Sequence, residues 1–137
     1  MLKVLIAHIS CSFADILADH LRHDYEVQIC NTGSDALVLL DQLRPDILIL
    51  YLSLPDLDGI SVLHRSRYLP NVILALTNLA SDCILQAALN AGAHDVVLLP
   101  SPVQHIVSRV EQIIKKPPPW KLDPERGMFY YISITAV

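Results

Sequence analysis

Three side chains that could take part in hydrogen bonding or proton transfer follow apolar segments with the pattern of strands. His8 follows "KVLIA", Tyr51 follows "DILIL", and Thr77 follows "VILAL". Because the carboxyl ends of parallel strands meet at one edge of a sheet, we expect these side chains to lie close together. An imidazole titrates near neutrality, and phenol and hydroxyl groups both donate and accept hydrogen bonds. The residue types therefore predict a polar site at this edge.

Other groups of residues give weaker evidence for a functional site. His20 and His23 stand about one helical turn apart, but their charged neighbours indicate a solvated face rather than a metal site. Asp56 and Asp58 lie in "LPDLDG", where proline, aspartate and glycine are typical of a turn and a helix start. No glycine-rich phosphate loop follows the first strand, which argues against a nucleotide-binding enzyme.

The overall composition limits the class of protein. A chain of 137 residues, 53% hydrophobic and 18% charged, is typical of one globular domain. A net charge of −4 gives no general attraction to DNA or to anionic membranes, so we expect neither partner for this segment alone. No apolar run approaches the ~20 residues of a membrane span. Three widely spaced cysteines argue against a disulfide framework, and we expect a cytoplasmic protein.

Five short apolar segments alternate with helical patterns. The predicted strands are Lys3–Ala7, Glu26–Cys30, Asp46–Leu50, Val72–Leu76 and Asp95–Leu99. The predicted helices begin after Ser12 with Asp15 as part of a capping box, near Thr32 to Ser34, at Asp58 or Gly59, at Ser81 and at Ser101. This alternation predicts an α/β, flavodoxin-like (βα)5 doubly wound sandwich, with a parallel five-stranded sheet in the order 2-1-3-4-5.

The composition changes at "KKPPPW", after the last helical pattern. Consecutive prolines form a stiff spacer and cannot continue a helix. We expect a first domain over residues 1–116 and a proline-rich linker over 117–120. Residues 121–137 are β-prone around a "DPERG" turn and too short to fold alone, so we expect the start of a second domain or a packed tail.

Several of these segments together resemble the receiver domain of two-component response regulators. The resemblance covers about Leu2 to Ile114 and rests on "LRHDYEVQICNTGSDAL", "RPDILIL", "LSLPDLDGI", "LALT" and "LNAGAHDVVLLP". A typical receiver holds a magnesium ion with two acidic residues after the first strand and an aspartate after the third, which accepts the phosphoryl group. A threonine or serine and a lysine contact the phosphoryl oxygens. The corresponding residues here are His8, Ile9, Tyr51, Thr77 and Leu99, so that only the threonine matches.

These departures predict a loss of the family's chemistry. Magnesium prefers carboxylate oxygens, and a neutral phenol replaces the aspartate that would accept phosphate. Leu99 supplies no ammonium group to hold an acyl phosphate. We therefore expect no bound Mg²⁺ or other cofactor, no phosphorylation at Tyr51, and no enzymatic activity.

Three interpretations of the altered pocket remain open. The first is that Tyr51 fills it, with its hydroxyl paired to His8, Thr77 or water. In the second, His8, Tyr51 and Thr77 bind a small molecule that replaces phosphate as the signal. In the third, His8 acts as a proton switch.

The resemblance also implies partners. In the winged-helix subfamily, receivers dimerise through the fourth helix, fifth strand and fifth helix, and Asp95 and Arg109 match two charged positions of that interface. The tail "WKLDPERGMFYY" resembles the opening of a winged-helix domain. We expect a phosphorylation-independent homodimerisation module of a transcription regulator, which would contact DNA only through a further C-terminal domain. The alternative is a stand-alone adaptor or small-molecule sensor.

Overall fold

The strands form one parallel sheet at the centre of the molecule. The computed structural model describes residues 1–115. The strands are β1 (Lys3–Ala7), β2 (Glu26–Cys30), β3 (Ile47–Tyr51), β4 (Val72–Thr77) and β5 (Asp95–Leu98), in the spatial order β2-β1-β3-β4-β5. All four pairings are parallel. The predicted flavodoxin-like architecture is confirmed.

Five helices connect and cover the strands. They are α1 (Cys11–Leu21), α2 (Gly33–Leu43), α3 (Gly59–Arg65), α4 (Asp82–Ala91) and α5 (Val103–Lys115). The helix predicted to begin after Ser12 starts earlier, because the side chain of Ser10 accepts a hydrogen bond from the Phe13 amide at 3.3 Å and caps α1. Thr32 and Asp58 cap α2 and α3 in the same way, near the predicted starts.

Apolar side chains alternate between the two faces of the central strands. One face packs against α2, α3 and α4 and includes Leu5, Leu48 and Leu50. The opposite face packs against α1 and α5 and includes Ile6 and Ile49. Burial on both faces explains why the sequence of these strands is almost continuously hydrophobic.

The carboxyl ends of three strands differ by one residue from the prediction, and all three matter for the site. β3 extends through Tyr51 and β4 through Thr77, so these residues are the last of their strands rather than the first of the following loops. β5 ends at Leu98, which leaves Leu99 in the loop, where the Leu99–Pro100 peptide is cis.

No helix within residues 1–115 is long and apolar enough to cross a membrane. The linker and the second segment predicted over residues 117–137 lie outside the described residues.

Candidate functional site

His8 and Tyr51 meet at the carboxyl edge of the sheet. β1 and β3 are neighbours with Ala7 opposite Leu50, so the next residue of each chain segment emerges at the same place. The ring centroids of His8 and Tyr51 are 4.5 Å apart. The His8 ring also stacks on Phe13 of α1, with centroids 4.6 Å apart and planes inclined by 29°. The three rings form an aromatic stack that the sheet topology creates.

The imidazole of His8 is buried, and only one of its two ring nitrogens has a hydrogen-bond partner among residues 1–115. Its exposed fraction is 7%, and its Nδ1 accepts a hydrogen bond from the Ser10 amide at 2.9 Å. This bond assigns the proton to Nε2, which has no hydrogen-bond partner among residues 1–115. Burial lowers the pKa of His8 from its ordinary value, so the ring is neutral near pH 7. His8 therefore presents a neutral N–H group without an acceptor.

The hydroxyl of Tyr51 has a different partner from those expected. It donates to the side-chain oxygen of Asn78, the residue that follows β4. Thr77 is 1% exposed, and its Oγ1 accepts a hydrogen bond from the Leu79 amide at 3.1 Å. The prediction of His8, Thr77 or water as the partner of Tyr51 missed Asn78, although that residue directly follows a neighbouring strand and its position could have been read from the sheet order.

A cavity of about 500 Å³ opens beside this stack. Its apolar and aromatic wall consists of His8, Ile9, Phe13, Tyr51, Leu99 and Pro100. Three polar residues complete the lining: Ser10, Asn78 and Ser101. Thr77 is not part of it, so the structure brings together four of the five residues predicted for the pocket. None of the nine residues carries a carboxylate, an ammonium or a guanidinium group.

The chain that folds into this parallel sheet, with a site at the ends of β1 and β3, matches the family model "Response regulator receiver domain" over residues 4–111. This chain belongs to the receiver-domain family.

Relatives of this receiver domain come from proteins of several kinds. It is 34% identical over 121 residues to the protein-glutamate methylesterase/protein-glutamine glutaminase of Sulfurimonas denitrificans, covering 84% of this chain and 34% of that protein. It is 25% identical over 120 residues to the transcriptional regulatory protein TrcR of Mycobacterium tuberculosis, covering 84% and 46%. The chain spans about a third to a half of the length of these curated relatives.

Solved structures show the same fold. A putative response regulator from Chloroflexus aurantiacus has a TM-score of 0.73 and 32% identity, with 84% of this chain and 98% of that chain covered. A CheY-like response regulator receiver domain protein from Methanospirillum hungatei has a TM-score of 0.78 and 21% identity, with 85% and 95% covered.

The donor atoms of the cavity in this receiver domain do not fit the magnesium ion that typical receivers hold. A hard divalent cation prefers carboxylate oxygens, whereas this edge offers an imidazole and a phenol that is already bonded to Asn78. Elsewhere in residues 1–115 no group of three or more histidine, cysteine or acidic residues could hold a metal ion. His20 and His23 are both exposed, and a ring nitrogen of His20 lies 2.9 Å from the Ile16 carbonyl oxygen.

The two residues matched to a dimer interface pair with each other inside this receiver domain. Asp95 is 1% exposed, and its carboxylate forms an ion pair with Arg109 of α5. The other carboxylate oxygen accepts a hydrogen bond from the Val96 amide at 2.8 Å. Both carboxylate oxygens are engaged within the chain, so this pair links β5 to α5.

The loop after β3 in this receiver domain is attached to α2 by Asp56. Its carboxylate accepts hydrogen bonds from the Gly33 amide at 2.8 Å, from the Ser34 amide at 3.2 Å, and from the Ser34 hydroxyl. The Leu57 amide donates a further bond at 2.8 Å. These bonds, led by the Ser34 hydroxyl, lower the pKa of Asp56 to about 2. Sequence reasoning identified a turn here and missed the long-range attachment.

Proposed function

We propose that this receiver domain is atypical and regulates without phosphorylation of residue 51. The observation that carries the proposal is the side chain at the end of β3, where the resemblance places the phosphoacceptor. Tyr51 stands there, its hydroxyl bonded to Asn78 and its ring against the neutral His8.

The surroundings of Tyr51 also lack what phosphoryl transfer requires. The transferred group spreads negative charge over its oxygens, so catalysis depends on a cation and on correctly placed donors. The residues that line the cavity supply no cation, and Leu99 lies where a typical receiver has lysine. Neither does the Tyr51 hydroxyl contact a base, because it donates to an amide oxygen. These features support a domain that performs no phosphoryl transfer and has no enzymatic activity of its own.

The biological role that we propose is regulation of transcription. TrcR and the probable transcriptional regulatory protein TcrX of Mycobacterium tuberculosis, which is 29% identical over 118 residues, are relatives of this type. The net charge of −4 does not favour direct contact with DNA. In this proposal, DNA binding belongs to a winged-helix domain C-terminal to residue 116, and the receiver positions it.

Dimerisation through α4, β5 and α5 is part of the proposal. Since Asp95 and Arg109 are paired within the chain, association would depend on apolar contacts. β5 is an edge strand, and its last residue, Leu98, is 43% exposed. An exposed leucine on an open strand edge favours contact with a second copy.

Incubation of the chain with acetyl phosphate and Mg²⁺, followed by intact-mass measurement, tests the absence of phosphorylation. We expect no gain of the roughly 80 Da of a phosphoryl group. A variant that combines His8→Asp, Ile9→Asp, Tyr51→Asp and Leu99→Lys restores the family's residues and is expected to gain it, which shows that the assay can detect the product. A stoichiometric adduct on the unaltered chain would refute the proposal.

The dimer is tested separately by sedimentation velocity over a range of concentrations. Leu98→Glu should shift the equilibrium toward monomer. Leu69→Glu is the matched control, because Leu69 is 41% exposed but lies in the loop before β4. Purely monomeric sedimentation of the unaltered chain at high concentration contradicts this part of the proposal.

The cavity supports a second candidate function, in which a small molecule replaces phosphate as the input signal. The specific observation that favours it is the cavity itself, which lies where the strand order reverses between β1 and β3 and is lined by His8 and Tyr51.

A further inference from the structure

A second cavity lies at the amino edge of the sheet, at the opposite ends of the strands from the altered pocket. Its volume is about 330 Å³, and its lining includes Leu2, Asp46, Ile47, Val72, Ile113 and Ile114. Residues at or just before the starts of β1, β3 and β4 meet the last turn of α5 here. We call this cavity the amino-edge groove. Because Ile114 lines it and the described part of the chain ends at Lys115, the chain leaves α5 beside the groove.

The amino-edge groove exposes apolar surface that another apolar side chain could cover. Leu2 is 43% exposed and Ile114 is 37% exposed. Ile47 and Val72 also line the groove and are almost fully buried. Removal of apolar surface from water is favourable, and an aromatic side chain that binds here could bury roughly 150–250 Å². The groove therefore suits an aromatic residue.

The chain carries such a residue shortly after α5. Trp120 is the only tryptophan of the sequence and stands five positions beyond Lys115. Its indole combines a large apolar surface with one N–H donor. Asp46 supplies an acceptor in the lining: its Oδ2 accepts from the Lys3 amide at 2.9 Å, and a carboxylate has about four acceptor sites in all. Both parts of an indole therefore find a match in the groove.

The spacing along the chain matches the width of the groove. Residues 117–119 are prolines, and three prolines in the extended polyproline form span about 9 Å. Val72 and Leu2 lie at the starts of β4 and β1, which β3 separates, so they are two strand spacings or about 10 Å apart. A spacer that begins beside Ile114 therefore brings Trp120 within reach of Leu2. Because such a tether keeps the local concentration in the millimolar range, a weak contact is enough.

The charges of the groove and of this segment are complementary. The sequence "KKPPPWK", residues 115–121, carries three lysines and no acidic residue. Among the described residues that line the groove, Asp46 contributes a carboxylate and there is no lysine or arginine. Opposite charges at an interface favour encounter and fix orientation. Lys121, next to Trp120, is the lysine that a docked indole would bring toward Asp46.

We propose that the amino-edge groove is the docking site of the chain's own segment after α5, with the indole of Trp120 against Leu2 and Ile114. The contact would fix the direction in which the chain continues beyond the receiver domain. The proposal goes beyond the proposed function, because it holds whether or not residue 51 accepts phosphate and whatever kind of domain follows.

The fluorescence of the single tryptophan tests the docking in the full chain. A buried indole emits at shorter wavelength than a hydrated one, so we expect a blue-shifted emission maximum relative to the chain unfolded in urea. Ile114→Ser removes apolar surface from the groove and should lower the ratio of docked to undocked Trp120 about tenfold, moving the maximum toward the unfolded value. Val38→Ser is the matched control, because Val38 is 51% exposed but lies on α2 at the other face of the sheet. A native emission equal to that of the unfolded chain, or equal effects of the two variants, would overturn the proposal.

The methyl NMR signals of the groove give a second test from the other side of the contact. An aromatic ring shifts the signals of the methyl groups that it faces. Trp120→Leu should therefore move the methyl signals of Leu2 and Ile114 and leave those of Val38 unchanged. This variant lies outside the described fold, so it does not remove a contact of the core. Unmoved signals of Leu2 and Ile114 would contradict docking in this groove.

Dilution distinguishes the chain's own tryptophan from that of a second copy. Docking within one chain does not depend on protein concentration, so the emission maximum should stay constant on dilution. A maximum that moves toward the unfolded value would show that the tryptophan of a second copy occupies the groove, and docking within the chain would be wrong. None of these readouts involves residue 51, so they are independent of the phosphorylation assay.

Discussion

Asp56 and His8 both lie at the carboxyl edge of the sheet, and their polar atoms are paired to very different extents. The carboxylate of Asp56 is exposed to water, yet it accepts hydrogen bonds from Gly33, Ser34 and Leu57. Nε2 of His8 is buried, yet it has no partner among the described residues. An exposed group can obtain its bonds from water, whereas a buried one cannot.

The region around Asp56 has a structural role, because its hydrogen bonds hold two elements together. The bonds of Asp56 attach the loop after β3 to the first turn of α2 and are complete without a ligand. In the stack around His8, the Nε2 atom lacks one hydrogen bond, and a cavity adjoins the stack. A buried polar group without a partner is unfavourable, so Nε2 does not contribute to the stability of the fold as the bonds of Asp56 do.

The largest effect is expected where a substitution creates a second unpaired buried group. Arg109→Met should leave the carboxylate of Asp95 buried without its ion-pair partner and lower the free energy of unfolding by about 3 kcal/mol. Urea denaturation measures the change. Gln104→Met, exposed on the same helix, is the control and should change the free energy by less than about 0.5 kcal/mol. Equal stabilities of the two variants would show that the pair is not formed in solution.

The attachment of the loop to α2 can be broken sterically. A Cβ atom at Gly33 would lie 1.9 Å from the carbonyl oxygen of Leu57, so Gly33→Ala forces the loop away from the helix. We expect a loss of about 2 kcal/mol in the free energy of unfolding, as in overpacked cores. Ser34→Ala removes one hydrogen bond without a clash and should cost less. A stabilised Gly33→Ala variant would show that the loop does not hold this position.

The carboxylate of Asp56 predicts a dependence of stability on pH. Because the folded state lowers its pKa to about 2, from about 4 in the unfolded chain, its contribution is fully present above pH 4. The contribution is lost as the pH falls toward 2. Urea midpoints of the unaltered chain and of Asp56→Asn should therefore differ at pH 6 and converge as the pH approaches 2. A difference that does not depend on pH would contradict the assignment.

The smallest effect is expected at His8. His8→Phe removes the unpartnered Nε2 donor and keeps a ring in the stack, but it also removes the Nδ1 acceptor of the Ser10 amide. Because the two effects oppose each other, the free energy of unfolding should change by less than about 1 kcal/mol in either direction. Urea denaturation without ligand measures it. A loss of more than about 2 kcal/mol would show that Nε2 has a partner and that the contrast with Asp56 does not hold.

Much of the fold could be predicted from the sequence because its signals are local. The apolar segments gave β1 and β2 with their bounds, and proline, glycine and capping residues indicated most helix ends. The errors were of one or two residues, as at α1, where Ser10 and not Ser12 provides the cap. Ser10 and Ser12 are the same residue type, and only the path of the backbone decides which hydroxyl reaches a free amide.

The site was less predictable than the fold. The sequence places His8 and Tyr51 at one edge, but it does not show that Tyr51 bonds to Asn78 or that Phe13 stacks on His8. These contacts depend on side-chain directions at the ends of different elements. Phe13 belongs to the apolar pattern of α1, which carries no sign of a second role at the cavity.

The order of the elements, the parallel sheet, and the positions of His8, Tyr51 and Leu99 near the strand ends could be read from the sequence alone. The pairing of polar groups could not: Asp95 pairs with Arg109 inside the chain, Asp56 with the start of α2, and His8 Nε2 with none of the residues described. The two kinds of feature depend on interactions of different range. Backbone conformation follows from neighbours along the chain, whereas the partner of a side chain is whatever the packed elements bring within about 3 Å.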